Sequence, residues 1–188
     1  NMKNKKNLDK YLTPFLIGIT AVVYSCFSPV KKDNTINSTN EITILLDEKN
    51  SSGVSGEVNF TEENNITTMT SIISGLTVGS HAIHIHMKSD CSSDDGKSAG
   101  GHWNPTAKKH GAWGDSEGYH KGDIGSIVAD ENGNASIKFE TEEWCIGCDD
   151  ENKNIIGKAV IIHQGEDDMT SQPSGAAGSR ISCAGIIK

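Results

Sequence analysis

The stretch HAIHIH, residues 81–86, holds three of the chain's seven histidines in six positions. Side chains alternate between the two faces of a β-strand, so residues two apart share a face. As a strand, this stretch turns His84 and His86 the same way, about 7 Å apart by the rise per residue. Ile83 and Ile85 then face the opposite way, toward a core. One short segment thus presents an apolar face and a face of paired imidazoles. Two imidazoles on one face can grip a metal ion.

Much of the remaining chain has a matching character. Helical periodicity is weak, and short alternating runs recur between Gly, Asn, Asp and Ser. Strands are expected near 42–46, 56–61, 66–73, 80–87, 125–129, 135–140, 158–162 and 182–187. DENG, residues 130–133, reads as a hairpin turn centred on Asn132-Gly133. Eight short strands imply an all-β antiparallel sandwich or barrel. Residues 88–122 and 164–179 resist strand assignment, and loops of that length are usually functional. His102, His110 and His120 lie on the first, and His163 immediately precedes the second.

The first 40 residues differ. Lys3, Lys5, Lys6 and Lys10 make a basic segment, and Tyr11 to Tyr24 an apolar one too short to cross a bilayer as a helix. Small Ser25 then precedes Cys26. Residues 1–26 resemble a bacterial lipoprotein signal, in which the cysteine becomes the lipid-bearing N-terminus. An ordinary cleaved secretory signal and an uncleaved membrane anchor are the alternatives. Residues 27–40, FSPVKKDNTINSTN, are polar and read as a flexible tether. Residues 41–188 then form one domain. The expectation is an exported protein, periplasmic or at the cell surface, meeting the membrane only through lipid on Cys26. Six of the 17 basic and two of the 25 acidic residues lie in residues 1–40, which leaves 11 against 23 and a net charge of −12 for the domain. Such a surface excludes nucleic acid as a partner. Export also implies a compartment where disulfides persist.

His84, His86, His102, His110, His120, His163 and Asp123 are seven candidate ligands. Imidazole suits copper, zinc, iron and nickel, and one carboxylate added to imidazoles is usual for zinc. Seven groups are too many for one four-coordinate ion. Two such ions need eight positions, so seven groups suffice only if one is shared. An imidazole can be shared, because its two nitrogens point apart. His81 falls outside the paired face and reads as structural.

The stretches GLTVGSHAIHIH, AGGHWNPTAKKHG, GYHKGDIG, AVIIHQGEDD and PSGAAGSRISCAGII resemble those of copper/zinc superoxide dismutases. The resemblance implies an eight-stranded Greek-key β-barrel, or flattened sandwich, with two long functional loops. It implies one copper on His84, His86, His102 and His163, and one zinc on His102, His110, His120 and Asp123, with His102 as the bridge. Asp167 would link a copper ligand to a zinc ligand and so fix ring orientation. Arg180 would receive the anionic substrate. Cys91 and Cys183 would form a disulfide. The implied activity is disproportionation of superoxide to dioxygen and hydrogen peroxide, with protons from His102 and water. The alternative is a non-enzymatic copper- and zinc-binding lipoprotein, a metal buffer or carrier. Family members include homodimers formed through different faces, and monomers, so the oligomeric state stays open.

Two features depart from the family pattern. Residues 164–179 hold no lysine, where some relatives place a guiding one; Lys97, Lys108, Lys109 and Lys121 of the first loop are candidate substitutes. Cys145 and Cys148, in WCIGC, are additional. A local disulfide is the leading expectation for an exported chain. Two inert thiols, or a copper-acquiring or redox pair, are the alternatives.

Overall fold

The computed structural model describes residues 40–188. The expected signal, the expected tether up to residue 39 and the expected lipidation of Cys26 lie outside the described residues. Eight strands follow in order: β1 (Asn40–Glu48), β2 (Ser55–Glu63), β3 (Ile66–Ser74), β4 (Gly79–His86), β5 (Asp123–Ala129), β6 (Ala135–Thr141), β7 (Ala159–His163) and β8 (Arg180–Gly185). Each expected strand is present, with ends moved by a few residues. Asn40, expected as the last residue of the tether, already opens β1.

All pairs are antiparallel, in the order β5-β4-β7-β8-β1-β2-β3-β6. The outermost strands, β5 and β6, are consecutive and joined by a hairpin turn, so the sheet curls into a nearly closed barrel. The core contains Phe60, Met69, Ile73, Ile83, Ile85, Val160, Ile162 and Trp144. Fully burying one such apolar side chain stabilises by roughly 1.5–3 kcal/mol.

The hairpin at residues 130–134 differs from expectation. The Gly133 amide donates to the Asp130 carbonyl (3.0 Å), and the Asp130 amide to the Asn134 carbonyl (2.9 Å). Glu131 and Asn132 are therefore the central pair. Gly133 follows them at φ 76°, in the left-handed region. The Asp130 carboxylate accepts from the amides of Asn132 and Asn134 and stabilises this turn.

The two halves of the barrel are covered differently. In β3 burial alternates along the strand, with Thr67, Met69, Ser71 and Ile73 inside. In β7 every residue is buried. The long loops, residues 87–122 and 164–179, lie over β4, β7 and β8. Ala99 from the first loop packs with Ala159, Ile161 and Cys183, beside Cys91. A Cys91–Cys183 disulfide, Cα–Cα 5.8 Å, ties that loop to β8. A second disulfide, Cys145–Cys148, closes WCIGC.

Candidate metal centre

β4 points His84 and His86 out of the barrel, while Ile83 and Ile85 enter the core. His163 ends β7 and Asp123 opens β5. Strand register shifts between Ile83 and His84 against β5, and between Ile162 and His163 against β8. Such irregularities re-aim side chains. They fall at two of the candidate ligands. His102, His110 and His120 come from the first loop, and His102 forms an isolated antiparallel bridge with His86.

These residues gather into two buried groups, in each of which the candidate ligand atoms lie within 4.8 Å of one another. One holds His84, His86, His102 and His163; the other holds His102, His110, His120 and Asp123. His102 belongs to both.

Most ring nitrogens turned away from the groups are already bonded. His84 Nε2 donates to Asp167 Oδ2 (2.7 Å) and His110 Nε2 to Asp167 Oδ1 (2.9 Å). His86 Nδ1 donates to the Gly100 carbonyl (2.9 Å), and His163 Nδ1 to that of Gly178 (3.3 Å). Asp167 thus joins one residue of each group. Gly175, at φ 66°, makes room for it, since a Cβ there would collide with that carboxylate.

The inward nitrogens are different. His84 Nδ1, His102 Nε2, His110 Nδ1 and His120 Nδ1 are buried without a hydrogen-bond partner. Those of His110 and His120 lie 3.0 and 3.2 Å from Asp123 oxygens, out of hydrogen-bonding alignment. Buried polar groups normally have partners. Convergent orphaned nitrogens are what a metal site requires, so these donor sets fit two metal ions. His102 Nδ1 meets Asp123 Oδ1 (2.8 Å) in the second group, leaving Nε2 for the first.

Protonation favours ligation in the first group. Burial, reinforced by neighbouring imidazoles, lowers His102 to about 4 and His163 to about 3, and lowers His86 well below the usual value. These rings are neutral near pH 7, with a lone pair free. In the second group, burial opposes ionisation of Asp123, but the hydrogen bonds from His102 Nδ1 and the His120 amide, with the His110 and His120 rings close by, hold it below the usual carboxylate range. His110 is likewise disfavoured as a cation by burial, yet Asp123 and Asp167 raise it to about 9.

Residues 54–186 match the family model for copper/zinc superoxide dismutase (SODC), well over half of the chain. The chain belongs to the copper/zinc superoxide dismutase family. A SOD-like protein from Bacillus subtilis is 27% identical, with a TM-score of 0.69 over 77% of this chain and 97% of that one. A double mutant of a SOD-like protein from Bacillus subtilis is 29% identical, with a TM-score of 0.70 over 78% and 97%.

The first group opens into a cavity of about 620 Å³ lined by His86, His102, His163, Lys97 and Arg180, among others. Arg180 opens β8 directly opposite His163. Its Nη1 donates to the Gly96 carbonyl (2.7 Å). Of the four candidate lysines, only Lys97 lines this cavity, where it pairs with Asp95 (2.7 Å). Lys109 and Lys121 pair instead with Glu117 and Glu143. His81 is structural, as expected, with Nδ1 2.9 Å from the His163 carbonyl. Sequence reasoning missed the Gly100 and Gly178 carbonyls, Asn50, which donates to the Arg180 carbonyl (2.9 Å), and Asp95. Main-chain acceptors leave no signal in side-chain type.

Proposed function

We propose that this protein disproportionates superoxide to dioxygen and hydrogen peroxide. In this reading His84, His86, His102 and His163 hold copper, and His102, His110, His120 and Asp123 hold zinc. The supporting observation is His102, whose two nitrogens address two buried donor sets of different chemistry. An all-imidazole set suits copper, and three imidazoles with one carboxylate suit zinc. When bound, copper supplies one-electron chemistry, taking an electron from one superoxide and returning it to another; zinc has no redox chemistry.

The chain's own residues do the rest. Arg180, held by Gly96 at the cavity, places a fixed positive charge where an anion must enter. Lys97 lines the same cavity, but its ammonium is paired with Asp95, which leaves Arg180 as the main positive charge. The domain's overall negative charge is screened beyond about 8 Å at physiological salt, so the nearby field governs approach. His102 Nε2, facing the first group, is the atom at which a proton can be held and given up. Asp167 and Asp123 keep the histidine rings oriented while it does so.

Export, with lipid on Cys26, belongs to the same proposal. It is supported by the pattern of residues 1–26 and by two disulfides, which persist outside the cytoplasm. Cys26→Ser should release the protein from membranes with its activity intact.

The test is the second-order rate with superoxide for protein carrying one copper and one zinc, measured across ionic strength. The rate should fall as salt rises. Arg180→Ala should keep both metals, lose on the order of tenfold in rate and flatten the salt dependence. No turnover in the fully loaded protein would leave a metal buffer or carrier instead.

A further inference from the structure

His120 differs from its neighbours in the two groups. His84, His86, His110 and His163 each have one ring nitrogen fixed by a carboxylate or carbonyl, and the ring of His102 is fixed by Asp123. Among the described residues, no acceptor holds Nε2 of His120. Its Nδ1 is nevertheless buried, 3.2 Å from Asp123 Oδ1. The ring must therefore be placed by its backbone. That backbone is a tight turn: the His120 amide donates to Asp123 Oδ2 (2.7 Å), and the Asp123 amide to the His120 carbonyl (3.1 Å).

The outer side of this turn rests on the segment that follows β6. Tyr119 Oη donates to Glu143 Oε1 (2.6 Å), and the Lys121 ammonium pairs with Glu143 Oε2. The Trp144 indole N–H donates to the Lys121 carbonyl (2.8 Å). The three contacts thus grip the residues on either side of His120. Glu143 and Trp144 are themselves firmly placed. The Glu143 amide donates to Thr141 Oγ1 (2.9 Å), and Thr67 Oγ1 donates to the Trp144 carbonyl (3.0 Å). The indole is 1% exposed and packs among Phe60, Trp113 and Phe139. Cys145, the next residue, exchanges backbone hydrogen bonds with Lys153 and Ile155 and is joined to Cys148. The Ile146 amide donates to Glu62 Oε2 (2.8 Å).

We propose that Glu143 and Trp144, clamped by the Cys145–Cys148 disulfide, are positioning residues for the second metal group. They fix the path of residues 119–122 so that His120 Nδ1 and Asp123 converge on the point addressed by His102 and His110. In this account WCIGC is the end of a strut that runs from the barrel wall to the metal ligands. The inference rests on the reading of that group as a zinc site.

Zinc affinity of the copper-free protein, measured by competition with a chelator, tests it. Trp144→Phe keeps an aromatic ring and removes the N–H donor. Glu143→Gln keeps the shape and removes the negative charge that pairs with Lys121. Val58→Ala, in the core on β2 with no hydrogen bond to this segment, serves as a control for general destabilisation. Loss of an outer-shell partner typically costs about 10- to 100-fold in metal affinity. Trp144→Phe and Glu143→Gln should each weaken zinc about tenfold or more, and Val58→Ala should not. Cobalt placed in the second group should also show a changed visible spectrum in Trp144→Phe. Affinities within about twofold of the parent in both variants, below the range such partners give, would overturn the strut. An unchanged affinity in His120→Ala would instead show that zinc is not held there, and would overturn the site reading together with the inference.

Discussion

β3 and β7 each hold an adjacent pair of isoleucines but solve different problems. In β3, Met69 and Ile73 are fully buried while Ile72, between them, is 74% exposed. In β7, Val160, Ile161 and Ile162 are all fully buried. One sheet face of the barrel is open to solvent and the other lies beneath two loops. A strand buried on both faces reads as an unbroken apolar run, and one buried on a single face alternates. The covered half can therefore hold histidines among isoleucines, because there they are dry and close together. In the metal-free protein this arrangement is costly. Four orphaned imidazole nitrogens each forgo a hydrogen bond, and an unsatisfied buried polar group costs about 1–3 kcal/mol.

The largest expected effect is that of the metals themselves. A ligand that binds only the folded state stabilises by about 4 kcal/mol per site at 1,000 times its Kd. Loading both groups should raise the unfolding free energy accordingly. It should slow hydrogen exchange in β4, β7 and the two loops more than in β2 and β3. Equal protection in both halves would break the comparison.

Next come the disulfides. Cys91–Cys183 spans 92 residues and anchors the covering loop, so removing it should cost about 4–5 kcal/mol by chain entropy. Cys145–Cys148 spans three, and the same relation gives about 2 kcal/mol. Chemical denaturation of the two double-serine variants measures the difference. Equal losses would mean that loop anchoring contributes little.

The metal-free protein should also lose stability on both sides of pH 6.5. Folding lowers His102 to about 4 and His163 to about 3, so their contribution is complete above pH 6.5 and is lost as pH falls toward those values. For His102 this is on the order of 3 kcal/mol. His110 is raised to about 9, so its contribution is complete below pH 6.5 and is lost as pH rises to 9. Denaturation midpoints across pH, with and without metals, test this. The alkaline limb should vanish on metal loading, because ligation displaces the His110 proton.

The two faces can also be compared residue by residue. Ile161→Ala, beneath the first loop, should cost about 2–5 kcal/mol. Ile72→Thr, on the open face, should change stability by less than about 0.5 kcal/mol. A large loss from Ile72→Thr would show that the open face is covered in solution.

The strands were legible because alternation and turn residues mark them, even where β7 lost its alternation. The gathering of the candidate ligands was legible from the spacing of His84 and His86 and from the resemblance that extended the set to His102, His110, His120, His163 and Asp123. The supports were not. Gly100 and Gly178 act through carbonyls, which every residue possesses. The register shifts beside His84 and His163 arise from strand partners distant in sequence. Glu143 and Trp144 meet Lys121 across more than 20 residues, so no local pattern announces them. The turn at 130–134 was misplaced by one residue because Asn-Gly fits two hairpin geometries, and Asp130 selects between them.

The central claim is that one histidine serves both metals. Electron paramagnetic resonance of protein carrying copper in the first group and cobalt(II) in the second tests it directly. A shared imidazolate couples the two spins, so the copper signal should be lost in the parent and should return in His102→Ala. A full, uncoupled copper signal in the parent, with both metals present, would contradict the claim.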